Sequence, residues 1–489
     1  MRGDLQGARR QFFAVLAATL LSGCISSAPP APPPLPVQAA WPADTADPNA
    51  PQAAATPQET AAAADLPWRG FFTDARLQSL IEKALDNNRD LRAAVSRVEQ
   101  ARAAYGIQRS ALFPQIEGDA QATRSRVPGD LNLTGRPVTA STYGLSVGLT
   151  TWELDLWGRV RSLKDAALQD FLATRAAQSA IRVSLIGQVA NGYLGLRELD
   201  ERIALADRTV ASRQESLRIF TRRYEVGSIS KLDLTQVDTL LRQAQALRVQ
   251  LAQSRANQAH ALGLLVGSAD ELEALPVPAQ SDDAVFRPLR PGLPADLLVS
   301  RPDIAAAEHA LQAAHANIRA ARAAFFPRIA LTGDFGTASA ELDGLFKHGS
   351  RAWSFTPTLA LPLFDGGQRS ANLDLARARA NEAVADYEKT IQTAFREVAD
   401  ALSDRRWLAE QVGIQRATLE VQTERARLAQ LRYDSGAAAY LEVLDAQRDL
   451  LEAQQQLVQV RRGLLSSNVT LYAALGGGAI DPPAQSDSR

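Results

Sequence analysis

From Trp157 to Tyr224 the chain runs 68 residues without a proline, and from Gln368 to Tyr433 it does so again with Gly413 as the only glycine. At 1.5 Å per residue a helix of that length is a rod of ~100 Å. No compact globular domain needs such a rod, and two of them predict coiled-coil packing. Alanine is abundant along both, which allows close helix approach. Each stretch ends at Tyr-x-x-Gly (Tyr224 to Gly227, Tyr433 to Gly436), where a glycine takes the left-handed conformation that stops a helix.

The rods belong to a duplicated unit. Ala111-Leu112-Phe113-Pro114-Gln115-Ile116 matches Ala324-Phe325-Phe326-Pro327-Arg328-Ile329, a shift of 326 − 113 = 213 shared by Asp90-Leu91 and Asp303-Ile304. Gly227 and Gly436 differ by 436 − 227 = 209, as do Gly267 and Gly476. The spacing predicts two repeats, about 74–267 and 303–477. Each holds a helix (roughly 90–112 or 303–325), a Phe-Pro step that ends it, two strands, a tight turn, the long helix and a returning helix (about 231–266 or 440–475).

The strands alternate with period two. Trp353, Phe355, Pro357, Leu359 and Leu361 oppose Ser354, Thr356, Thr358 and Ala360, and Tyr143, Leu145, Val147 and Leu149 oppose Gly144, Ser146, Gly148 and Thr150. An aromatic-aliphatic face backed by a small polar face fits a wall between lipid and water. An amphipathic sheet on a soluble core has the same pattern, and Pro357 cannot donate to a ladder.

No segment after the first 23 residues has the 18 or more apolar residues of a membrane helix, so a membrane crossing requires a β-barrel. Two strands per repeat give four per chain, too few to close one. Three chains supply twelve, an even number within the range of outer-membrane barrels. Lys plus Arg number 53 and Asp plus Glu 54, so nothing marks a nucleic-acid partner. The single cysteine, Cys24, rules out an internal disulfide and a cysteine metal site. Ser228-Ile229-Ser230-Lys231 has Ser-x-x-Lys spacing without the companion motifs of that chemistry. His309 and His315 are six apart and share no helix face. No enzyme, cofactor or metal is expected.

Arg2, Arg9 and Arg10 precede a short apolar run, Phe12 to Leu21, which fits an export signal over 1–23. Leu21-Ser22-Gly23-Cys24 resembles a bacterial lipobox, and that resemblance implies lipidation of Cys24, palmitate included. Residues 24–66 are Ala- and Pro-rich and are expected to be a disordered linker, as is the tail 479–489.

The ordered set looks like the TolC-like outer-membrane efflux family, in its lipoprotein branch serving RND-type pumps. It comprises the duplicated Phe-Pro-x-Ile steps, Asp365-Gly366-Gly367, the Tyr-x-x-Gly turns, Leu444-Asp445-Ala446-Gln447-Arg448 and Leu471-Tyr472-Ala473-Ala474-Leu475-Gly476. The resemblance covers about 67–478. It implies a mainly α protein with a small β part: a homotrimer with a twelve-stranded transmembrane barrel continued by an α-helical barrel. It implies a bacterial outer-membrane location extending into the periplasm, and multidrug export with a periplasmic adaptor and an inner-membrane RND transporter as partners. A type I protein-secretion duct and a non-conducting envelope-spanning tether are the alternatives.

In that family, acidic rings and a leucine constriction lie where this chain has Leu441, Glu442 and Asp445. Glu442 and Asp445 are three apart and share a helix face; they equally fit acids placed in a helix first turn by its dipole. The first repeat has Asp233 and Gln236 at those places. Tyr433 matches a gate tyrosine of some family members, but Ala438 stands where their gate arginine would be. The tips at Gly227, Ser228, Gly436 and Ala437 are the candidates for adaptor contact.

Overall fold

The computed structural model describes residues 66–133, 135–268, 285–287, 289 and 297–479. The signal segment, Cys24, the linker up to 65 and the tail from 480 lie outside the described residues. The chain is mostly helical with one four-stranded sheet. In order it has α1 (Trp68–Phe71), α2 (Ala75–Asn87), α3 (Arg89–Ser110), β1 (Ile116–Val127), β2 (Val138–Glu153), α4 (Arg159–Glu225) and α5 (Lys231–Val266). Then come α6 (Leu297–Ser300), α7 (Pro302–Ala323), β3 (Arg328–Ser339), β4 (Arg351–Ala360), α8 (Gln368–Asp434) and α9 (Tyr440–Ala474). The two long helices have 67 residues each, close to the lengths that the proline-free runs set. Two compact units divide the chain. One holds Val98–Thr174 and Ala307–Tyr387, and the other the described residues up to Arg97, Arg175–Ala306 and those from Glu388 on.

The first unit contains the sheet, an antiparallel meander in the order β1-β2-β3-β4. The hairpin connections at 128–137 and 340–350 lie at one end, and all four strand ends that lead to helices lie at the other. Register puts Ile116, Ala120, Tyr143, Leu145, Val147, Phe335, Trp353, Phe355 and Leu359 on one face. The opposite face carries Glu117, Asp119, Gln121, Ser146, Asp334, Ser354 and Thr356, with Ser354 donating to Asp334. Pro357 is on β4, an edge strand, which is where a residue without an N–H is tolerated. Leu361 falls just past the strand.

Strand β2 extends beyond the predicted face. Leu149 pairs with Gly333 but Trp152 pairs with Leu331, so the register slips by one residue between them. A one-residue slip exchanges the two faces. It keeps Trp152 on the apolar face and turns Glu153 to the polar one. Glu153 there accepts two bonds from Arg159, at 3.0 and 2.7 Å, and pairs with Arg328 at 2.9 Å. Trp157 Nε1 donates to the Pro327 carbonyl at 2.7 Å while its ring stacks on Phe326. The two repeats are thus fastened where the sheet gives way to helices.

The second unit holds the main core, in which Phe71, Phe72, Leu77, Ile81, Val189, Tyr193, Leu262, Val469 and Tyr472 are essentially inaccessible. Asp74 caps α2 by accepting from the backbone of Arg76 and Leu77, and it also accepts from the Tyr193 hydroxyl at 2.9 Å. Burial and that carboxylate push the Tyr193 phenol well above its ordinary pKa. Tyr472 stacks on Phe71 at 4.2 Å and donates to the Leu66 carbonyl at 2.7 Å, which ties the residues before α1 to the core. Arg301 is 8% exposed and binds Asp303, Glu397 and the Ala474 carbonyl, which matches the requirement that a buried cation be paired.

Candidate functional site

The two helix tips lie in the second unit and have nearly the same backbone. Gly227 and Gly436 have φ of 74° and 75°. The amides of Gly227 and Ser228 bond to the carbonyls of Tyr224 and Arg223, and those of Gly436 and Ala437 to Tyr433 and Arg432, at 2.8–2.9 Å. This is the Schellman pattern in both repeats. Ser228 and Ser435 add side-chain bonds to the carbonyls of Arg223 and Arg432.

Beyond the backbone the tips diverge, and the divergence follows from single residues 209 apart. Ser230 caps α5 in a full capping box with Asp233, so Asp233 is engaged with its own helix start. Its counterparts are Ala439 and Glu442. Ala439 has no capping side chain. Glu442 is not used as a cap either; it accepts from Arg432 at 2.7 Å. Asp445 faces Arg448 at 3.3 Å, and Asp449 faces both Arg448 and Arg425. Each acid in the opening turns of α9 therefore has an arginine beside it. Leu441 is half exposed.

Aromatic packing differs in the same way. At the first tip Lys231 sits over the Tyr224 ring. At the second, Tyr440 replaces the lysine and packs on Tyr433 at 4.8 Å and on Phe220 at 4.2 Å. Burial raises the Tyr440 pKa. Arg213, 4% exposed, donates to the Leu240 carbonyl at 2.6 Å, and burial lowers its pKa.

A polar link joins the tips as well. Arg223 donates to the Tyr433 hydroxyl and lies over the Tyr433 and Phe220 rings. Tyr433 thus has an arginine partner although Ala438 offers none. The partner comes from the other repeat, 433 − 223 = 210 residues away, a distance at which the sequence gives no pairing signal. Arg223 and its equivalent Arg432 occupy the same helical position and choose different partners. The structure brings Tyr433 and the start of α9 together with the first tip, whereas Asp233 remains a cap.

Among the described residues, no group of three or more His, Asp or Glu side chains is placed to hold a metal ion. No described helix is long and apolar enough to cross a membrane.

The profile of the outer membrane efflux protein family matches the chain twice, over residues 80–268 and 293–477. The chain is 43% identical over 473 residues to the toluene efflux pump outer membrane protein TtgF of Pseudomonas putida, spanning 96% of this chain and 97% of that one. It is 42% identical to the outer membrane protein OprJ of Pseudomonas aeruginosa, over 95% of each. Among solved structures, a Pseudomonas aeruginosa membrane protein superposes with a TM-score of 0.86 at 41% identity, covering 93% of this chain and 100% of that one. The open-state MtrE outer membrane channel of Neisseria gonorrhoeae gives 0.78 at 35% identity, over 91% and 98%. With both repeats matched and the whole length shared, the chain belongs to the outer membrane efflux protein family, whose members form the outer-membrane channels of efflux pumps.

Proposed function

We propose that three copies of this chain close a twelve-stranded barrel and continue it as a helical duct into the periplasm, as the passive outer-membrane exit of a tripartite pump. The supporting observation is the sheet. Its apolar face leaves Trp353 73%, Leu359 68% and Phe335 62% exposed, while its other face carries carboxylates, and both outer edges are unpaired among the described residues. In water an exposed aromatic face is unfavourable at ~25 cal/mol per Å², and in lipid an unpaired edge is worse. Lipid on one face, water on the other and a neighbouring copy at each edge meet both demands. A coiled-coil tether needs no such sheet.

The compounds are small organic molecules, in keeping with a relative named for toluene efflux. The pump rather than the duct would select them. A periplasmic adaptor would engage the tips at Gly227, Ser228, Gly436 and Ala437, and an inner-membrane RND transporter would load the duct. Residues 67–478 are the channel, tethered by 24–66 to lipid on Cys24. The narrow point is the start of α9, with Leu441, Glu442 and Asp445 from three chains and Tyr433 holding the tips together.

The test is single-channel conductance in a planar bilayer, wild type against a variant combining Leu441→Ala, Glu442→Ala and Asp445→Ala. A small, mostly closed conductance that rises several-fold in the variant supports both duct and gate. No conductance from well-formed trimers of either protein defeats the duct. A large wild-type conductance unaffected by the substitutions keeps the duct and moves the gate elsewhere.

A further inference from the structure

The apolar face of the sheet does not stay apolar to its hairpin end. On β1 the series Ile116, Gly118, Ala120, Ala122 continues as Arg124 and Arg126. On β4 the aromatic series Phe355, Trp353 continues as Arg351. Register confirms that these belong to one face: Ala122 pairs with Tyr143, Leu145 with Thr337, and Thr337 with Arg351. All three arginines are exposed, and none makes an ion pair or side-chain hydrogen bond among the described residues. The nearby hairpin acids do not compensate. Asp343 is taken by Lys347 at 2.6 Å, and Arg136 adds a further cation to the hairpins that carry Asp130 and Glu341.

Topology decides where these arginines meet. β1 and β4 are the two edges. Within one chain Arg351 is in register with Ala120, so it lies about 14 Å across the strands and about 13 Å along them from Arg124. β1 runs toward the hairpin end and β4 away from it, so the β4 edge of one copy and the β1 edge of the next would pair antiparallel. Arg351 would then lie on the strand next to the one that carries the β1 arginines of its neighbour, with the two strands about 5 Å apart. The hairpin end is opposite the helices, hence on the outer side of the membrane.

We infer that Arg351 of one copy, with Arg124 and Arg126 of the next, forms a seat for the phosphate groups of outer-leaflet lipid, repeated at each of three seams. Three unpartnered guanidinium groups at the rim of a lipid-facing surface match a phosphorylated headgroup in position and charge. Guanidinium binds phosphate through paired parallel N–H donors. The inference rests on the three-copy barrel proposed above.

The test uses full-length protein purified in non-ionic detergent, with bis-phosphorylated lipid A as probe and native mass spectrometry as readout, which reports oligomer mass and bound lipid together. Wild-type trimers are expected to retain up to three probe molecules. The combined Arg124→Gln, Arg126→Gln and Arg351→Gln variant should remain trimeric and bind at least tenfold more weakly. A combined lysine variant, which keeps charge and folding but not the paired donors, should fall between them. Dephosphorylated lipid A should bind wild type and variant equally. Equal retention of the phosphorylated probe by trimeric wild type and glutamine variant overturns the inference while leaving the barrel intact. Displacement by millimolar inorganic phosphate overturns lipid as the occupant. A wild type found only as monomer removes the barrel, and the seat with it.

Discussion

Arg223 makes a side-chain hydrogen bond between the two tips of a chain, and its removal can be followed quantitatively. It donates to the Tyr433 hydroxyl and covers the Phe220 and Tyr433 rings. The pair is solvent-exposed, so the full value of a charged hydrogen bond does not apply. Bond and ring contacts together contribute about 1 kcal/mol per chain. If three tips open together the contributions add to ~3 kcal/mol, and since 1.4 kcal/mol is tenfold, the closed-to-open ratio should fall about a hundredfold in Arg223→Gln. Tyr433→Phe keeps the rings and loses only the hydroxyl, about 0.5 kcal/mol per chain, giving roughly a tenfold change. The double variant should match Arg223→Gln, because the shared bond can be lost only once. The assay is the open fraction of single channels at fixed voltage, with trimer integrity checked by size-exclusion chromatography. An open fraction for Arg223→Gln within twofold of wild type, from intact trimers, refutes the reasoning. So does a larger effect from Tyr433→Phe.

Three further outcomes are expected. Ala439→Ser should recreate in the second repeat the capping box that Ser230 and Asp233 form in the first. It should stabilise the start of α9 by ~1 kcal/mol and draw Glu442 from Arg432, which slower amide exchange at Glu442 would register. Glu153→Gln leaves Arg159 and Arg328 without their carboxylate; because both arginines are partly exposed, the cost is about 1–2 kcal/mol, read as a lower melting temperature with the oligomer retained. Alkaline pH should destabilise the second unit. Tyr193 is held neutral by burial and by its bond to Asp74, so its contribution is complete below the ordinary phenol value of ~10 and declines as pH rises from there toward the raised folded value. Phenolate absorbance of Tyr193 should accordingly appear with unfolding rather than before it, and coincidence with the exposed tyrosines would contradict this.

Much of the architecture was legible along the chain because it depends on local chemistry. The proline-free runs set helices of 67 residues, glycines placed 209 apart ended them in matching turns, and period-two alternation separated the strand faces. Ser230 and Asp233, three residues apart at a helix start, form their capping box from local chemistry alone. What tertiary structure decided were the partners. The slip between Leu149 and Trp152, which turns Glu153 toward Arg159 and Arg328, is set by cross-strand packing and has no signal in β2 alone. Arg223 and Arg432 occupy equivalent positions, yet one binds Tyr433 and the other Glu442, a choice that depends on which groups the packed chain places beside each. Local sequence fixes what a residue can donate, accept or bury; only the packed chain determines which of several suitable groups comes within reach.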